Sequence, residues 1–422
     1  MRKPIVAVAV LLAPAAAFAG GYAIPNENAR SLALSQADVA AQTGPEAAYQ
    51  NAAALAGQIG LGVTGNVEMI YNQTTWSNSQ ATVAGVAEPT GQASLKPHAN
   101  FPPMLAVAYG DKLANDMAWG LGVAFLLPGG GSIFWPTGWA GAGRIQSVDQ
   151  KVYLTQLSGG FAPMPNVKLG ASFLWYRVTE ELEQQLSFAG ATGNASLGLG
   201  GNAYSFGLSG EFSVPNTGLT LGVDYRHQAA LTLEGNAHFD NVPPSFASQL
   251  SDQGAHEDVM IPNQLFLGAA YDFAMGPESD LKVMGTFTLE RWIVYRSDTY
   301  IGDKGLVITV PRNYHNAQVY RFAGEYSHVP FLPPLTLRLG FERSISDQPT
   351  DTISPTLTDA NSWVISAGVG FNFTKELRFD IGYQYALFDT VTATGTEAFP
   401  GSYDTHVNIV SAGVTWRPGK VF

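Results

Sequence analysis

The 422-residue chain contains no cysteine, and only 13% of its residues are charged. The absence of cysteine excludes disulfide bonds, a cysteine-linked lipid anchor, thiol catalysis and zinc sites built on cysteine. The charged fraction is about half of that usual for a soluble domain. The formal net charge of −12 argues against nucleic acid, because phosphate binding requires a basic surface. We expect neither a nucleic-acid partner nor a cofactor, a metal or catalytic residues.

Long apolar runs are also missing. After the amino terminus, no stretch approaches the roughly 20 residues that a membrane-spanning helix needs. The amino terminus itself carries Arg2 and Lys3, an apolar run over 5–17 and the small-x-small sequence Ala17-Phe18-Ala19. This order predicts a signal peptide over residues 1–19 and an exported chain. Because 46% of the residues are apolar, the exported chain must bury that surface or expose it to lipid.

Residues 377–387 show the pattern that dominates the rest of the chain. Odd positions, from Leu377 to Leu387, are apolar or aromatic, while the even positions between them are charged, polar or small. Successive side chains of a strand point to opposite faces. A soluble sandwich buries the apolar face, whereas a membrane barrel turns it toward lipid, in units of about 10 residues. The pattern alone leaves both architectures open.

Segments with this period, bounded by turn residues, recur fourteen times. They are residues 58–71, 101–111, 115–127, 147–161, 166–178, 202–214, 217–226, 262–274, 279–295, 315–327, 333–345, 361–374, 376–388 and 405–417. The chain then ends at Phe422, and a terminal aromatic after an alternating strand resembles the carboxy-terminal signal of bacterial outer-membrane barrels.

The connections between these segments alternate between short and long. Residues 110–112 and 163–166 are short connections, whereas 128–146 and 227–261 are long ones. An even-numbered up-and-down barrel with short periplasmic turns and long outer loops has this arrangement. A lectin-like soluble sandwich is the alternative, although it rarely sorts its loops by length. We therefore predict an all-β fold, a 14-stranded antiparallel transmembrane barrel over residues 58–422.

Residues 20–57 precede the first strand and lack its alternation. Gly44-Pro45-Glu46 is typical of a helix start, with proline at the first helical position and an acidic residue in the first turn. The alanine-rich segment 47–56 follows, and residues 28–41 can form a second short helix. This length suits a partly helical hatch that plugs the barrel; a periplasmic tail is the alternative.

Three groups of residues resemble the FadL/TodX family of outer-membrane transporters for hydrophobic compounds. They are 47–55, with Tyr49 and Asn51; 320–326, Tyr-Arg-Phe-Ala-Gly-Glu-Tyr; and the pair 354–361 and 365–371. Their order and spacing, together with fourteen strands, carry the resemblance over essentially the whole exported chain. The resemblance implies a barrel closed by an amino-terminal hatch, with a lateral opening beside a kink in strand three.

The sequence of strand three agrees with such a kink. Its alternation ends at Leu127 and meets Pro128-Gly129-Gly130-Gly131. Proline removes a ladder donor, and glycine permits bulges, so pairing with a neighbouring strand is weakened here. An ordinary loop tip is the alternative interpretation.

An amphipathic cargo would need an apolar groove outside the barrel. The second long loop carries Phe134, Trp135 and Trp139, and the fourth carries Phe246. An exposed aromatic patch of this kind marks a binding surface. Interfacial aromatic girdles or loop packing are the alternative.

A polar handle for the cargo is expected inside the barrel. The period of two places six charged residues on the lumen face: Arg321, Glu325, Arg338, Glu342, Arg378 and Asp380. The first interpretation is a ladder of ion pairs between neighbouring strands. The second is that Arg321 or Arg338, with Glu325 and Arg378 nearby, receives a carboxylate, which arginine binds through two parallel donors.

These observations predict passive uptake of hydrophobic or amphipathic small molecules across the Gram-negative outer membrane. Long-chain fatty acid is the default cargo, and monoaromatic hydrocarbon is the alternative within the family. A general water-filled porin is a competing function, and an outer-membrane lipid hydrolase ranks third. The expected partners are outer-membrane lipid, lipopolysaccharide and the barrel-assembly machinery, with the protein itself a monomer.

Overall fold

The computed structural model describes residues 28–418, apart from 81, 84–85, 276–279, 347 and 395–398. The predicted signal peptide, the start of the predicted hatch and Phe422 therefore lie outside the described residues. No helix in the described part of the chain is long and apolar enough to cross a bilayer.

Fourteen strands form one closed antiparallel barrel, as predicted. They are β1 (Gly60–Asn78), β2 (Pro103–Lys112), β3 (Ala118–Phe134), β4 (Ser147–Met164), β5 (Val167–Phe188), β6 (Ala191–Ser213), β7 (Leu219–Arg226), β8 (Gln264–Ala274), β9 (Asp280–Glu290), β10 (Ala317–Val329), β11 (Leu332–Ile345), β12 (Ser362–Asn372), β13 (Leu377–Phe388) and β14 (Gly401–Trp416). Each strand pairs with its neighbours in sequence, and β14 pairs with β1 to close the sheet.

The period of two sorts the side chains as expected for a barrel in lipid. In β13, Phe379, Ile381 and Tyr383 are exposed on the outer face, whereas Asp380 and Gln384 are buried toward the lumen. The same alternation of exposed apolar and buried residues recurs around the wall. An apolar outer face is what the membrane requires, because lipid offers no partner to polar groups.

Two predicted long loops contain more strand than the sequence pattern indicated. Residues 179–201 are mostly the paired ends of β5 and β6. Residues 227–261 form the hairpin Ala229–Asp240 and Gln253–Ile261. The other short strands are Thr82–Val83, Val86–Ala87, Gly91–Ser94, Ala99–Asn100, Ser297–Gly302, Val307–Pro311 and Val391–Ala393. All of them lie on the long-loop side, so the wall continues beyond the membrane as a folded extension.

Residues 28–57 lie inside the barrel and form the hatch. Two short α-helices, Ala29–Ala33 and Ala47–Gln50, precede a 3-10 helix over Ala52–Gly57. The prediction of a single helix over 47–56 is therefore wrong. The helical segment is interrupted at Asn51, whose backbone is extended and whose side chain accepts a hydrogen bond from the Ala53 N–H (3.1 Å).

Inward-facing glycines of the wall make room for the hatch. A Cβ on Gly160 of β4 would lie 2.5 Å from the Ala52 carbonyl oxygen, and one on Gly382 of β13 would lie 2.6 Å from the Ala29 oxygen. The glycines that share this property, called the glycine belt here, are Gly110, Gly120, Gly160, Gly170, Gly222, Gly340 and Gly382. They explain part of the count of 46 glycines, because backbone meets backbone where wall and hatch touch.

Candidate functional site

A cavity lies in the lumen above the hatch. Most of its lining is apolar: Pro128, Val152, Leu154, Ile261, Phe266, Trp292, Val319, Val364, Phe388 and Ile409. Gln36 and Tyr49 of the hatch also line it. Such a mostly apolar cavity with a few convergent polar groups is typical of a small-molecule site.

Tyr49 fixes the contact between the hatch and the cavity wall. Its ring lies 4.0 Å below the Arg226 guanidinium, and its carbonyl oxygen accepts a hydrogen bond from Arg226 Nη2 (3.0 Å). Arg226 also forms an ion pair with Asp224 (3.1 Å). Asn51, the other hatch residue that the sequence singled out, donates to the Val39 oxygen (2.8 Å) and so joins two hatch segments.

Arg321 lines the cavity, and its role as a polar handle for a ligand stays a prediction. Its Nε lies 2.8 Å from Glu342, and it also donates to the Thr288 hydroxyl. The predicted ladder of ion pairs is thus present at this level. Both cations of the cavity lining, Arg321 and Arg226, face a carboxylate.

Two glutamines of the cavity have an amide atom without a hydrogen-bond partner among the described residues. These atoms are Nε2 of Gln36 and Oε1 of Gln384, and both side chains are at least nine-tenths buried. Gln36 follows the first hatch helix in the left-handed region, with φ 59°, and its N–H donates to the Ser31 oxygen (2.8 Å). An unmade hydrogen bond on a buried group is costly, so these atoms are candidates to contact a ligand.

Sequence reasoning missed both glutamines. The alternation of β13 places Gln384 toward the lumen, but it does not reveal which lumen residues lack a partner. Gln36 has no periodic signal, because its orientation depends on a turn between two hatch segments.

The break in strand three is real, but it lies within the strand rather than after it. The prediction that strand three ends at Leu127 is wrong: β3 continues to Phe134, with a register shift against β4 between Leu126 and Gly129. Gly130 has φ 120°, and a Cβ there would collide with the Gln150 oxygen, so glycine is required.

On its other side, β3 loses its partner at the same point. The ladder between β2 and β3 ends at Leu105 and Phe125. Pro103 and Pro128, on the two edges beyond that pair, have no N–H to donate. Pro128 and Gly129 line the lumen cavity. The cavity therefore reaches the wall where its pairing stops.

The other predicted lumen charges lie at the short-turn end, beside the hatch rather than in the cavity. Glu325 accepts from Arg30 of the hatch (2.9 Å) and from Arg338 (2.7 Å). Arg338 and Arg378 both contact Asp380, at 2.7 and 3.0 Å. This hatch ion cluster ties the plug to β10, β11 and β13. Ligand binding by Arg338, Glu325 or Arg378 stays a prediction.

The predicted outer groove is not an exposed aromatic patch. Trp135 is 1% exposed and Trp139 is 7% exposed, so the prediction that both side chains form an exposed patch is wrong. Their rings stack at 4.2 Å, and Trp135 donates to the Pro355 oxygen (3.1 Å) because the long loops close over the lumen. Phe134 and Phe246 are half-buried, against His98 and Phe188. A ligand groove at these residues stays a prediction.

Comparison with known proteins supports this architecture. Residues 10–417 match the family described as outer membrane protein transport protein (OMPP1/FadL/TodX). A search of curated proteins gave no match. Among solved structures, a Pseudomonas aeruginosa FadL homologue is similar, with 16% identity, a TM-score of 0.80 and coverage of 94% of this chain and 99% of that one.

Two further structures share the fold at low identity. The P. putida toluene transporter TodX has 16% identity, a TM-score of 0.68 and coverage of 89% of this chain and 94% of that one. The CymD monoaromatic hydrocarbon channel has 14% identity, a TM-score of 0.66 and coverage of 93% and 97%. Because the family match spans nearly the whole chain, this protein belongs to the OMPP1/FadL/TodX family of outer-membrane transport proteins for hydrophobic compounds.

Proposed function

We propose that the protein takes up small hydrophobic molecules passively, through the lumen cavity and out sideways between β2 and β3. One observation carries the proposal: Pro128 and Gly129 line the cavity at the point where β3 has lost its ladder to β2. A sideways exit delivers an apolar molecule to lipid without moving it through water. The hatch below the cavity favours this path over a straight one.

The cavity supports a neutral cargo better than an anionic one. Arg226 and Arg321 each face a carboxylate, so a fatty-acid carboxylate would have to displace an existing ion pair. The unpartnered amide atoms belong to uncharged groups, Gln36 and Gln384. We therefore propose neutral compounds such as monoaromatic hydrocarbons as the preferred class, in place of the long-chain fatty acid expected from the sequence.

Long-chain fatty acid is the second candidate. Arg321 lies in the cavity lining and carries the guanidinium fork that suits a carboxylate. The two cargo classes differ in charge, and the cavity can be tested with one molecule of each.

The test is uptake by cells that express this chain in place of their own members of the family. Radiolabelled toluene and radiolabelled oleate are supplied separately, and ion conductance of the purified protein is measured in planar bilayers. We expect protein-dependent uptake of toluene, weaker uptake of oleate, and little conductance. A protein that conducts ions freely and accelerates neither uptake would be a porin, and the transport proposal would be wrong.

A further inference from the structure

Three neighbouring strands are interrupted at one level of the wall, far from β3. β7 gives way to strand Ala229–Asp240 after a break at residues 227–228. Residues 262–263 separate strand Gln253–Ile261 from β8, and a 3-10 helix over Trp292–Val294 follows β9. The registers of β7 with β8 and of β8 with β9 place the three breaks side by side.

The breaks leave part of the wall without strand pairing. Above them, Gln253–Ile261 pairs with Ser297–Gly302 at three positions, the last being Glu257 with Tyr300. Below them, β8 and β9 pair up to Gln264 with Glu290. At the lower edge of the interval the Arg291 N–H donates to the Asn263 oxygen (3.0 Å), and among the described strands no ladder pair joins residues 258–262 to 292–299 above it.

A pocket fills this interval and is lined from both faces of the wall. Thr232 and Asp258 are exposed on the outer face, whereas Leu231 and Glu257 are buried on the lumen face, and all four line the pocket. The pocket therefore occupies the part of the wall where strand pairing is interrupted, and this interval is called the wall gap here.

The wall gap lies just above the outer aromatic belt. Asn202 of β6 lines the gap, and Tyr204, on the same face of β6, is 64% exposed. Two residues of a strand span about 7 Å. Trp175, 45% exposed on β5, donates to Asn202 Oδ1 (3.4 Å). Since exposed aromatics of a barrel mark the membrane interface, the gap opens at the headgroup level of the outer leaflet.

The lining of the wall gap combines aliphatic and polar side chains. Leu231, Val259 and Val294 supply aliphatic surface. Asp258, which also lines the gap, is an exposed carboxylate at its outer rim, whereas the buried Asp298 is paired with Arg312 (2.7 Å). Because a like charge beside the Asp258 carboxylate is disfavoured, we expect the rim to admit neutral molecules more readily than anions.

The gap is separated from the lumen cavity by three aromatic rings. Trp292 lines the cavity, and Tyr295 lines the gap. Their ring centroids lie 6.1 Å apart, and Tyr314 packs against them at 6.4 and 5.1 Å. Side chains of these three residues therefore pack between the lining of the cavity and the lining of the gap.

We propose that the wall gap is a second lateral opening, through which neutral apolar molecules dissolved in the outer leaflet reach the lumen cavity. This inference rests on the proposed function and adds a site of access at β8 and β9, opposite in direction to the exit at β2 and β3. It also adds a selection against anions before the cavity is reached.

The absence of cysteine allows a direct test on the assembled protein. Thr232→Cys places one thiol at the outer rim of the gap, and a bulky, membrane-impermeant maleimide added to intact cells blocks it after folding. Thr309→Cys is the matched control, because Thr309 is exposed in the same extension and is not in the lining of the gap. Uptake of radiolabelled toluene is measured before and after labelling.

We expect labelling at Thr232→Cys to slow toluene uptake several-fold and labelling at Thr309→Cys to leave it unchanged. Equal rates for the two labelled variants, with both still faster than cells without the protein, would overturn the inference and leave the proposed function intact. Rates no faster than those of cells without the protein, even before labelling and for the unmodified chain, would reject both.

Discussion

Gln36 is one of the two hatch residues at which the hatch and the cargo would meet. Its Nε2 is buried and without a partner in the described structure, in a cavity that is otherwise mostly apolar. A hydrogen bond made to such a donor contributes about 1 kcal/mol, because the unbound state leaves the donor unsatisfied.

Gln36→Leu should therefore weaken binding of cargo that carries a hydroxyl or carbonyl group, such as cresol, by roughly tenfold or less. Binding of toluene, which cannot accept this bond well, should be unchanged or tighter. Calorimetry with the purified protein measures both. Gln92→Leu, at an exposed glutamine of the extension, is the control. A similar loss for toluene and cresol would assign Gln36 to packing of the hatch.

Glu180 makes the stability of the extension, which lies above the membrane, depend on pH. Arg177, Glu181 and Glu183 are exposed on the outer face of β5 at this level, which places it beyond the lipid. Burial, and then the Asp298 carboxylate, raise the pKa of Glu180 from 4.5 to about 7.

The folded state therefore holds a proton that the unfolded state releases between about pH 4.5 and pH 7. The extension should be most stable below this window and should lose stability as the pH rises through it. Hydrogen exchange of the extension at pH 5 and pH 8 measures the change. Glu180→Gln should reduce it without abolishing it, because burial also raises the pKa values of the neighbouring Glu257 and Asp298 carboxyls. Glu181→Gln, on the exposed face, should leave it unchanged. A pH profile that Glu180→Gln does not alter would contradict the prediction.

At the scale of elements, β3 is the strand on which the proposed transport depends. Its bulge and its loss of pairing occur together at Pro128 and Gly129. Restoring a regular strand there should seal the wall.

Pro128→Thr combined with Gly129→Val adds a ladder donor and β-forming side chains. We expect uptake to fall to the level of cells without the protein, while the barrel still assembles. Pro333→Thr, at the exposed start of β11, is the matched control for loss of a proline. Normal uptake by the double variant would rule out the exit between β2 and β3.

The glycine belt leads to a second prediction at the scale of strands and hatch, concerning how closely the two pack. Gly160→Ala would place a methyl group 2.5 Å from the Ala52 oxygen, so the hatch must shift or the strand must bend. Overpacking of this kind costs about 1–3 kcal/mol. Gly65→Ala in β1, where a Cβ meets nothing within 4 Å, should be silent. Ion conductance in planar bilayers detects a displaced hatch. If Gly160→Ala conducts no more than the unmodified protein, the contacts of the glycine belt can accommodate the extra methyl group.

The strands were predictable from the sequence because each repeats one rule over its length. The period of two predicts the number of strands, fourteen, and their order. It also places Arg321 on the inner face. The period carries no information on distance along the lumen, so it could not separate Arg321, in the cavity, from Arg338, beside the hatch. The burial of Trp135 depends on loops that lack any period.

For the whole molecule, the hatch ion cluster sets how firmly the plug is held. Arg30 joins the hatch to Glu325 of the wall at 2.9 Å, and Glu325 is shared with Arg338. Removing one partner of a buried ion pair costs about 3–5 kcal/mol when the other charge is left uncompensated, and the cost is smaller here because Glu325 keeps its contact with Arg338.

Arg30→Met should therefore loosen the hatch and raise ion conductance. Arg343→Met is the control, because Arg343 pairs with Asp389 (3.5 Å) outside the cluster. Conductance of the reconstituted proteins distinguishes them. If Arg30→Met conducts no more than the control, the belt alone must retain the hatch.

The position of the hatch in the chain constrains how the barrel is made. The hatch immediately precedes β1, and it touches glycines on strands from β2 to β13. β1 is also the strand that meets β14 to close the sheet. A plug fitted this closely to the wall would have to be in place before the sheet closes. We therefore expect the pairing of β14 with β1 to be the last step of folding, and a late or misfolded hatch to leave that seam open.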